Sequence, residues 1–391
     1  MSSNRTIEYK VKVEFLHRVV FTQGVFDSSN LTLSSCFAEA FAGSPAKVLV
    51  FLDEGLAFAQ PELAAQIVGY FRSIQNHAQL MGEPILVPGG EKAKYDPLIH
   101  KNSLEILAGK GLCRHSFVIV VGGGAVIDAV CFAASLVHRG IRQIRIPTTV
   151  LGQADAGIGI KNGIDLFNKK NFLGTFYPPY QVINDSLLLR SLSQHEWISG
   201  FAEAVKVALI KDPEFFGWIE SHASSLFRRD LKLSERLIQR SAELHLEHIA
   251  TSGDPFERGS ARPLDFGHWA AHKLEDLTDF QIGHGHAVAI GICIDSIYSH
   301  SIGLLGEFEL NRILATLKAL GFTLWTDVLF QKNVAGKVQL LAGLEEFREH
   351  LGGRLNIPLL KCIGASTNVG TIESEKMLYS LEKLKEFNSL S

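Results

Sequence analysis

Short apolar runs and longer amphipathic stretches alternate along the first half of the chain. Ile7–Phe15 alternates polar and apolar residues as a half-buried strand does, and Val48–Leu52 and Phe117–Val121 are apolar throughout, as fully buried strands are. Ile85–Val87 and Ile141–Ile146 complete the set of predicted strands, while Pro61–Ile74, Leu98–Ala108 and a stretch opening near Ala125 carry the spacing of helices. This rhythm predicts a parallel sheet covered on both faces, occupying residues 1–185. Beyond Asp185 the strands thin out, and helices are predicted at Glu214–Leu226, Ser234–Ala250, Ala287–Ile302, Leu310–Leu320 and Met377–Lys385. A second, all-α domain over residues 186–391 follows.

The strand Phe117–Val121 runs directly into Gly122-Gly123-Gly124 and a helix. Free backbone N–H groups and the partial positive charge of a helix amino end suit a pyrophosphate there, although glycine also serves tight turns for geometry alone. The helix stops at His138-Arg139-Gly140, and the next strand delivers Thr148 and Thr149 to the carboxyl edge of the sheet, where ligands of open α/β folds sit. Asp53, Glu91 and Lys94 follow the earlier strands and read, on local grounds, as a solvated loop edge. Beyond it, Asp155 to Lys161 and Lys169-Lys170-Asn171 alternate glycine with isolated charges. Such a loop offers a polar phosphate ester a close backbone and a few fixed charges, or it is a solvated surface loop.

The helical half holds the densest chemistry. His268 and His272 are four apart and Glu275 follows three later, so the three share one helix face; His284-Gly285-His286 comes after a polar turn. Imidazoles from two elements suit a zinc-like cation with a third ligand from elsewhere, for which Glu203 is the nearest candidate, or they are ordinary half-buried, hydrogen-bonded histidines. Glu203 and Lys206 are charged residues in a mostly apolar helix, so they form an intrahelical ion pair or serve a metal and a substrate oxygen.

Composition narrows the partners. A net charge of -3 with pI near 6.6 and no Lys/Arg run gives no footprint for nucleic acid. Five scattered cysteines without a CxxC pair suit a reduced, cytoplasmic protein, and the amino-terminal residues lack the apolar run of a signal peptide. Phe117–Val137 imitates a membrane span in length, but three glycines and Asp128 in its middle would be costly in lipid. The expected partner is a small molecule.

Five ordered stretches, VGGGAVIDAVCFAASLVHRGI, IPTTVLGQADAGIGIKNGID, KKNFLGTFYPPYQVIND, LSQHEWISGFAEAVKVALI and LDFGHWAAHKLE with GHGHAVAIGI, resemble the 3-dehydroquinate synthase-like sugar phosphate cyclases. The resemblance is strong over roughly residues 88–295 and implies a Rossmann-like NAD-binding domain, a helical metal-binding domain, a site between them and a homodimer. Carried over by position, it makes Glu203, His268 and His284 ligands of one divalent metal, zinc or cobalt. Gly122, Gly123, Gly124, Asp128, Thr148 and Thr149 would hold NAD, helped by Asp53, Glu91 and Lys94. Asp155, Lys161, Lys170, Asn171, Lys206 and His272 would meet a sugar phosphate, and Arg139 would reach the site of a neighbouring subunit. The implied chemistry is transient oxidation by NAD, loss of phosphate, return of the hydride and aldol closure of a ring.

The departures concern substrate. Where relatives acting on a heptulosonate use a lysine and an arginine, this chain has Glu247 and Ala261, with Arg262 shifted by one. The LNFGHT motif reads LDFGHW, with Asp265 and Trp269 as the changes; the C-terminal lysine pair is replaced near Glu349-His350, and the Glu of HGEAV is His286. Acidic side chains repel a carboxylate. The expectation is therefore a neutral-headed ketose phosphate such as sedoheptulose 7-phosphate, and GSARPLDFGHW resembles the divergent cyclases of the ebo gene cluster. 3-Dehydroquinate synthase proper, a metal-dependent glycerol-dehydrogenase-like enzyme and a non-catalytic NAD- and metal-binding protein are the alternatives.

Overall fold

Alternate residues of the central strands face opposite ways, and both ways are apolar. Val48, Val50, Leu52, Phe117, Ile119 and Val121 pack with Leu33, Phe37 and Ile67 on one face, while Leu49, Phe51, Val118 and Val120 pack with Leu107, Val126 and Val130 on the other. That two-sided burial is why the strands read as unbroken apolar runs. The structure, a computed structural model, describes residues 5–40, 43–167, 169–256 and 263–389.

The strands are β1 (Val19–Thr22), β2 (Ala46–Asp53), β3 (Ala78–Leu80), β4 (Ile85–Val87), β5 (Phe117–Gly122), β6 (Arg142–Pro147), β7 (Lys161–Leu166), β8 (Lys169–Phe176) and β9 (Gln181–Asp185). Seven form one parallel sheet in the order β1-β9-β6-β5-β2-β3, with β4 also pairing with β2. The chain winds one way from β2 and the other from β5, so a crevice opens between their carboxyl ends. Asp53 and Gly122 lie there, in adjacent strands registered Leu52 to Val121.

Five helices carry the chemistry: α1 (Gly124–Leu136), α2 (Phe201–Lys211), α3 (Leu231–Thr251), α4 (His268–Leu277) and α5 (His284–Ser301). The membrane-length stretch Phe117–Val137 is thus accounted for by β5 and α1, and no helix among the described residues is long and apolar enough to cross a membrane. After Asp185 the described elements are helices and one hairpin, Ile357–Cys362 with Ala365–Val369, around a core that includes Phe201, Trp269, Ile292 and Leu317.

Two expectations are corrected, and one strand is added. Ile7–Phe15 is not a strand: Ile7, Tyr9, Val11, Val13 and Phe15 stand exposed, and the edge position beside β9 is taken by Val19–Thr22. Alternation alone does not make a strand without a ladder partner. The segment read as a glycine-rich loop is largely the antiparallel hairpin β7–β8, concealed because β8 is exposed along most of its length and shows no apolar alternation. Strand β9 escaped because polar side chains are buried in it: Asn184 Nδ2 donates to the Gln153 carbonyl at 2.8 Å, and Asp185 accepts from the N–H groups of Val25 and Leu187.

Candidate active site

Glu203 sits in the first turn of α2, while His268 and His284 are the first residues of α4 and α5. Glycine sets the backbone at both helix starts. Gly267 has φ 78°, a left-handed turn into α4, and a Cβ on Gly285 would lie 1.9 Å from the Ser199 carbonyl oxygen. The glycine of the His-Gly-His stretch is therefore required by a close backbone approach.

His268 Nε2 and His284 Nε2 each lie 3.4 Å from Glu203 Oε1. That oxygen is buried and has no hydrogen-bond donor among the described residues, and the three ligand atoms lie within 4.8 Å of one another. Two imidazole nitrogens and a carboxylate fit a divalent cation of the zinc type. Supporting groups fix the rings: His268 Nδ1 is 3.1 Å from the Phe266 carbonyl, and His284 Nδ1 is 3.3 Å from Glu275 Oε1. Burial alone would lower the His284 imidazole, but Glu275 and Glu203 override it and raise it to about 10. For Glu203 burial acts upward, yet Lys206 and His268 hold its carboxyl well below the usual range.

Lys206 is 3% exposed and pairs with Glu203, so both sequence readings of this helix face are present at once. A buried ion pair is at best about neutral for stability against apolar replacements, which makes chemistry the better reason for it. Burial works against the ammonium, but Glu203 and Asp155 raise its pKa, and Asp265 adds to this from the turn before α4. Lys206 therefore stays cationic. His272, one turn after His268, is held well below its ordinary pKa by burial and by His268, and so presents a neutral imidazole.

Asp155 lies in a single π turn, Gly152–Ala156, closed by Gly157 N–H to the Gly152 carbonyl at 2.8 Å. Its Oδ1 is 2.8 Å from Nδ1 of His245 on α3, and the carboxyl is lowered overall: burial and Glu203 push it up, His245 and Lys206 prevail. Three successive carbonyls after this turn are gripped from outside. Arg145, fully buried on β6, donates to Gly157 and Gly159, and His17 Nε2 is 2.6 Å from the Ile158 carbonyl. Arg145 also donates to Asn162 Oδ1 at 2.7 Å, next to Lys161 at the exposed start of β7.

At the sheet edge, a Cβ on Gly122 would lie 3.0 Å from Val126 Cγ1 and 3.2 Å from Asp53 Cβ, and one on Gly124 would lie 3.0 Å from Ala156. Gly123 precedes α1 without a side-chain cap, so the first N–H groups of that helix are not taken by a capping side chain. An anionic group of the pyrophosphate kind fits this turn. Thr148 is buried, whereas the Thr149 hydroxyl accepts from Gly152 N–H at 2.9 Å and thereby caps the turn leading to Asp155. Lys94 Nζ bridges Asp128 Oδ2 at 2.9 Å and Asn171 Oδ1 at 2.5 Å; Lys170 Nζ lies 2.8 Å from Glu275 and 4.0 Å from Glu91. One polar chain thus links the glycine turn, the hairpin and the helix of His268.

Some expected positions lie apart. Glu247 is exposed on α3, two residues past His245 and so on the opposite side of the helix, with Lys211 as its charged neighbour. It does not face Lys206 or the imidazoles, which removes it from the carboxylate argument. Arg139 is exposed, with φ 64°, and makes no hydrogen bond or ion pair among the described residues. His286 turns away from the cluster to stack on His195 at 3.8 Å. Ala261, Arg262 and the His350 side chain lie outside the described residues. His245, Arg145 and His17 were not anticipated; a histidine beside the buried face of the amphipathic helix α3 was the one available signal for His245, and nothing local marked the others.

A parallel sheet with a glycine turn at its switch point, joined to helices that gather two imidazoles and a carboxylate, defines a class of nucleotide- and metal-type α/β proteins. Comparison with known proteins makes that specific. The model of the 3-dehydroquinate synthase N-terminal region matches residues 84–199, and that of the C-terminal region matches residues 200–342. A 3-dehydroquinate synthase of Ruegeria sp. is 32% identical over 307 residues, 77% of this chain and 80% of that one. Among solved structures, the 2-epi-5-epi-valiolone synthase ValA of Streptomyces hygroscopicus subsp. jinggangensis, with NAD+ and Zn2+ bound, superposes with TM-score 0.85 and 28% identity, covering 97% of this chain and 100% of that one. A 2-deoxy-scyllo-inosose synthase holding carbaglucose-6-phosphate, NAD+ and Co2+ shares the fold at TM-score 0.75 and 20% identity, over 93% and 96% of the two chains. The chain belongs to the 3-dehydroquinate synthase family of sugar phosphate cyclases.

Proposed function

We propose that this protein converts a ketose phosphate without a carboxylate, of the sedoheptulose 7-phosphate kind, to a cyclitol, using NAD and one zinc or cobalt ion. The observation that carries the reading is the buried Glu203 oxygen equidistant from His268 and His284, beside a lysine held cationic. The likeness to 2-epi-5-epi-valiolone synthase over nearly the whole chain supports a cyclase reaction of this kind. Asp265, an acid close enough to raise the Lys206 pKa where the family motif has asparagine, supports a neutral substrate head.

Gly122, Gly123 and Gly124 with the start of α1 would hold the dinucleotide, and Glu203, His268 and His284 the metal. When bound, these groups supply reversible hydride transfer and Lewis acidity. The Lys206 ammonium stabilises oxyanion character developing on the substrate. The neutral His272 imidazole accepts a proton, and the Asp155–His245 pair orients a substrate hydroxyl. Lys161 and Asn171, on the hairpin, hold the phosphate, joined by Arg139 of a second copy in a cytoplasmic homodimer. The hydride is returned, so no NADH accumulates.

The test is incubation of purified protein with a panel of heptulose and hexose phosphates, reading inorganic phosphate and ring product together. Phosphate and a cyclitol from a neutral heptulose phosphate are expected. Steady conversion of 3-deoxy-arabino-heptulosonate 7-phosphate to 3-dehydroquinate would instead establish the synthase named in the 32% identical relative. Net NADH production from an alcohol would point to a dehydrogenase.

A further inference from the structure

One carboxylate ties together the residues on either side of His268. Asp295, on α5 and fully buried, accepts the Gly267 backbone N–H on Oδ2 at 2.9 Å and the Trp269 indole N–H on Oδ1 at 2.8 Å. Trp269 is 1% exposed and stands where the family motif has threonine. We infer that Asp295 and Trp269 are positioning residues for the His268 imidazole and set the geometry and affinity of the divalent-ion site.

The turn has little slack. Gly267 is left-handed, and a Cβ on Gly291 of α5 would lie 2.0 Å from the Gly267 carbonyl oxygen, so the start of α4 is pressed on the α5 backbone. Within that contact, the side chain of residue 268 points wherever the Gly267 peptide and the Trp269 ring are fixed, and Asp295 fixes both. The Phe266 carbonyl holds His268 Nδ1, leaving Nε2 toward Glu203. Helix α5 thereby supplies one ligand, His284, from its first residue and braces another from its middle. A lone carboxylate buried against two N–H groups and no cation costs stability that an apolar pair would not, so a positional role accounts for its presence.

The inference rests on the metal reading of Glu203, His268 and His284, and the test separates the two. Full-length protein stripped of metal is titrated with Co2+, following visible d–d absorption and affinity by chelator competition, with NAD binding as the measure of folding. Failure of the unaltered protein to bind Co2+ would remove the metal reading itself. With binding present, Asp295→Ala is expected to weaken Co2+ by about 10–100-fold and shift the d–d bands, as losing a group that orients a ligand does. Trp269→Phe is expected to weaken it by less with a shift of the same sense, and the double variant to fall short of the product of the two. Leu317→Ala, buried in another helix of the same core, controls for lost stability and leaves the spectrum unchanged. Should Asp295→Ala fail to fold, Trp269→Phe decides. Folded variants with unaltered Co2+ spectrum and affinity would overturn the inference.

Discussion

Lys170 Nζ lies 2.8 Å from Glu275 Oε1, a contact that ties the β7–β8 hairpin to the helix of His268. The Glu275 side chain is fully buried and holds His284 through its other contact, so the hairpin reaches the candidate metal centre through two side chains. Burial would raise the Glu275 carboxyl, but His284 and Lys170 keep it well below the normal range. Glu275→Gln should lower stability by about 3 kcal/mol, the scale for breaking a buried pair, and weaken metal binding by about 10–100-fold. Lys170→Met should cost less, and the double variant less than the sum. Urea unfolding of the four proteins decides; strict additivity would show that the contact carries no coupling.

Glu203→Gln removes the one carboxylate among the three candidate ligands. Purified protein should hold about one divalent ion per chain and the variant almost none, read by elemental analysis. A variant with wild-type metal content would move the ion site elsewhere.

Asp295 gives a pH dependence with a definite sign. Burial lifts its carboxyl from 3.8 to about 7 against the two N–H groups that favour its charged form. A folded-state pKa raised above the unfolded one contributes stability that is complete below 3.8 and is lost as pH rises through about 7. Asp295→Asn abolishes this loss, so the variant should gain on the wild type between about pH 4 and 7 and hold a constant offset above. Unfolding free energies at several pH values measure the difference; a flat difference would show that the group titrates normally.

Arg139 separates backbone from charge. At φ 64° it occupies a conformation that glycine adopts without strain. Arg139→Gly should leave stability unchanged or raised by up to about 1 kcal/mol, while turnover of the sugar phosphate falls sharply. Full activity in this variant would refute a role for the guanidinium in a neighbouring site.

The sheet is legible because its central strands are buried on both sides: Val48–Leu52 and Phe117–Val121 are recognisable without any partner. The imidazole face of α4 was legible for an equally local reason, the i, i+4 spacing of His268 and His272. What escaped depends on distant residues. Ile7–Phe15 has the alternation of a strand and no neighbour, while β9 has neighbours and polar residues that hide it. Glu247 falls on the substrate side by sequence position, but the turn of α3 that brings His245 to Asp155 sends it to solvent. Asp295 could not be read at all, since its meaning depends on a glycine and a tryptophan one helix away.

Arg145 holds main-chain oxygens of Gly157 and Gly159, with His17 on Ile158 between them. Because the grip is on peptide carbonyls, which every residue possesses, the path of this segment is set by the sheet beneath it and is independent of the side chains mounted along it. A lineage could exchange Asp155 or Lys161 to suit a new ring precursor while the rail that carries them stays where it is.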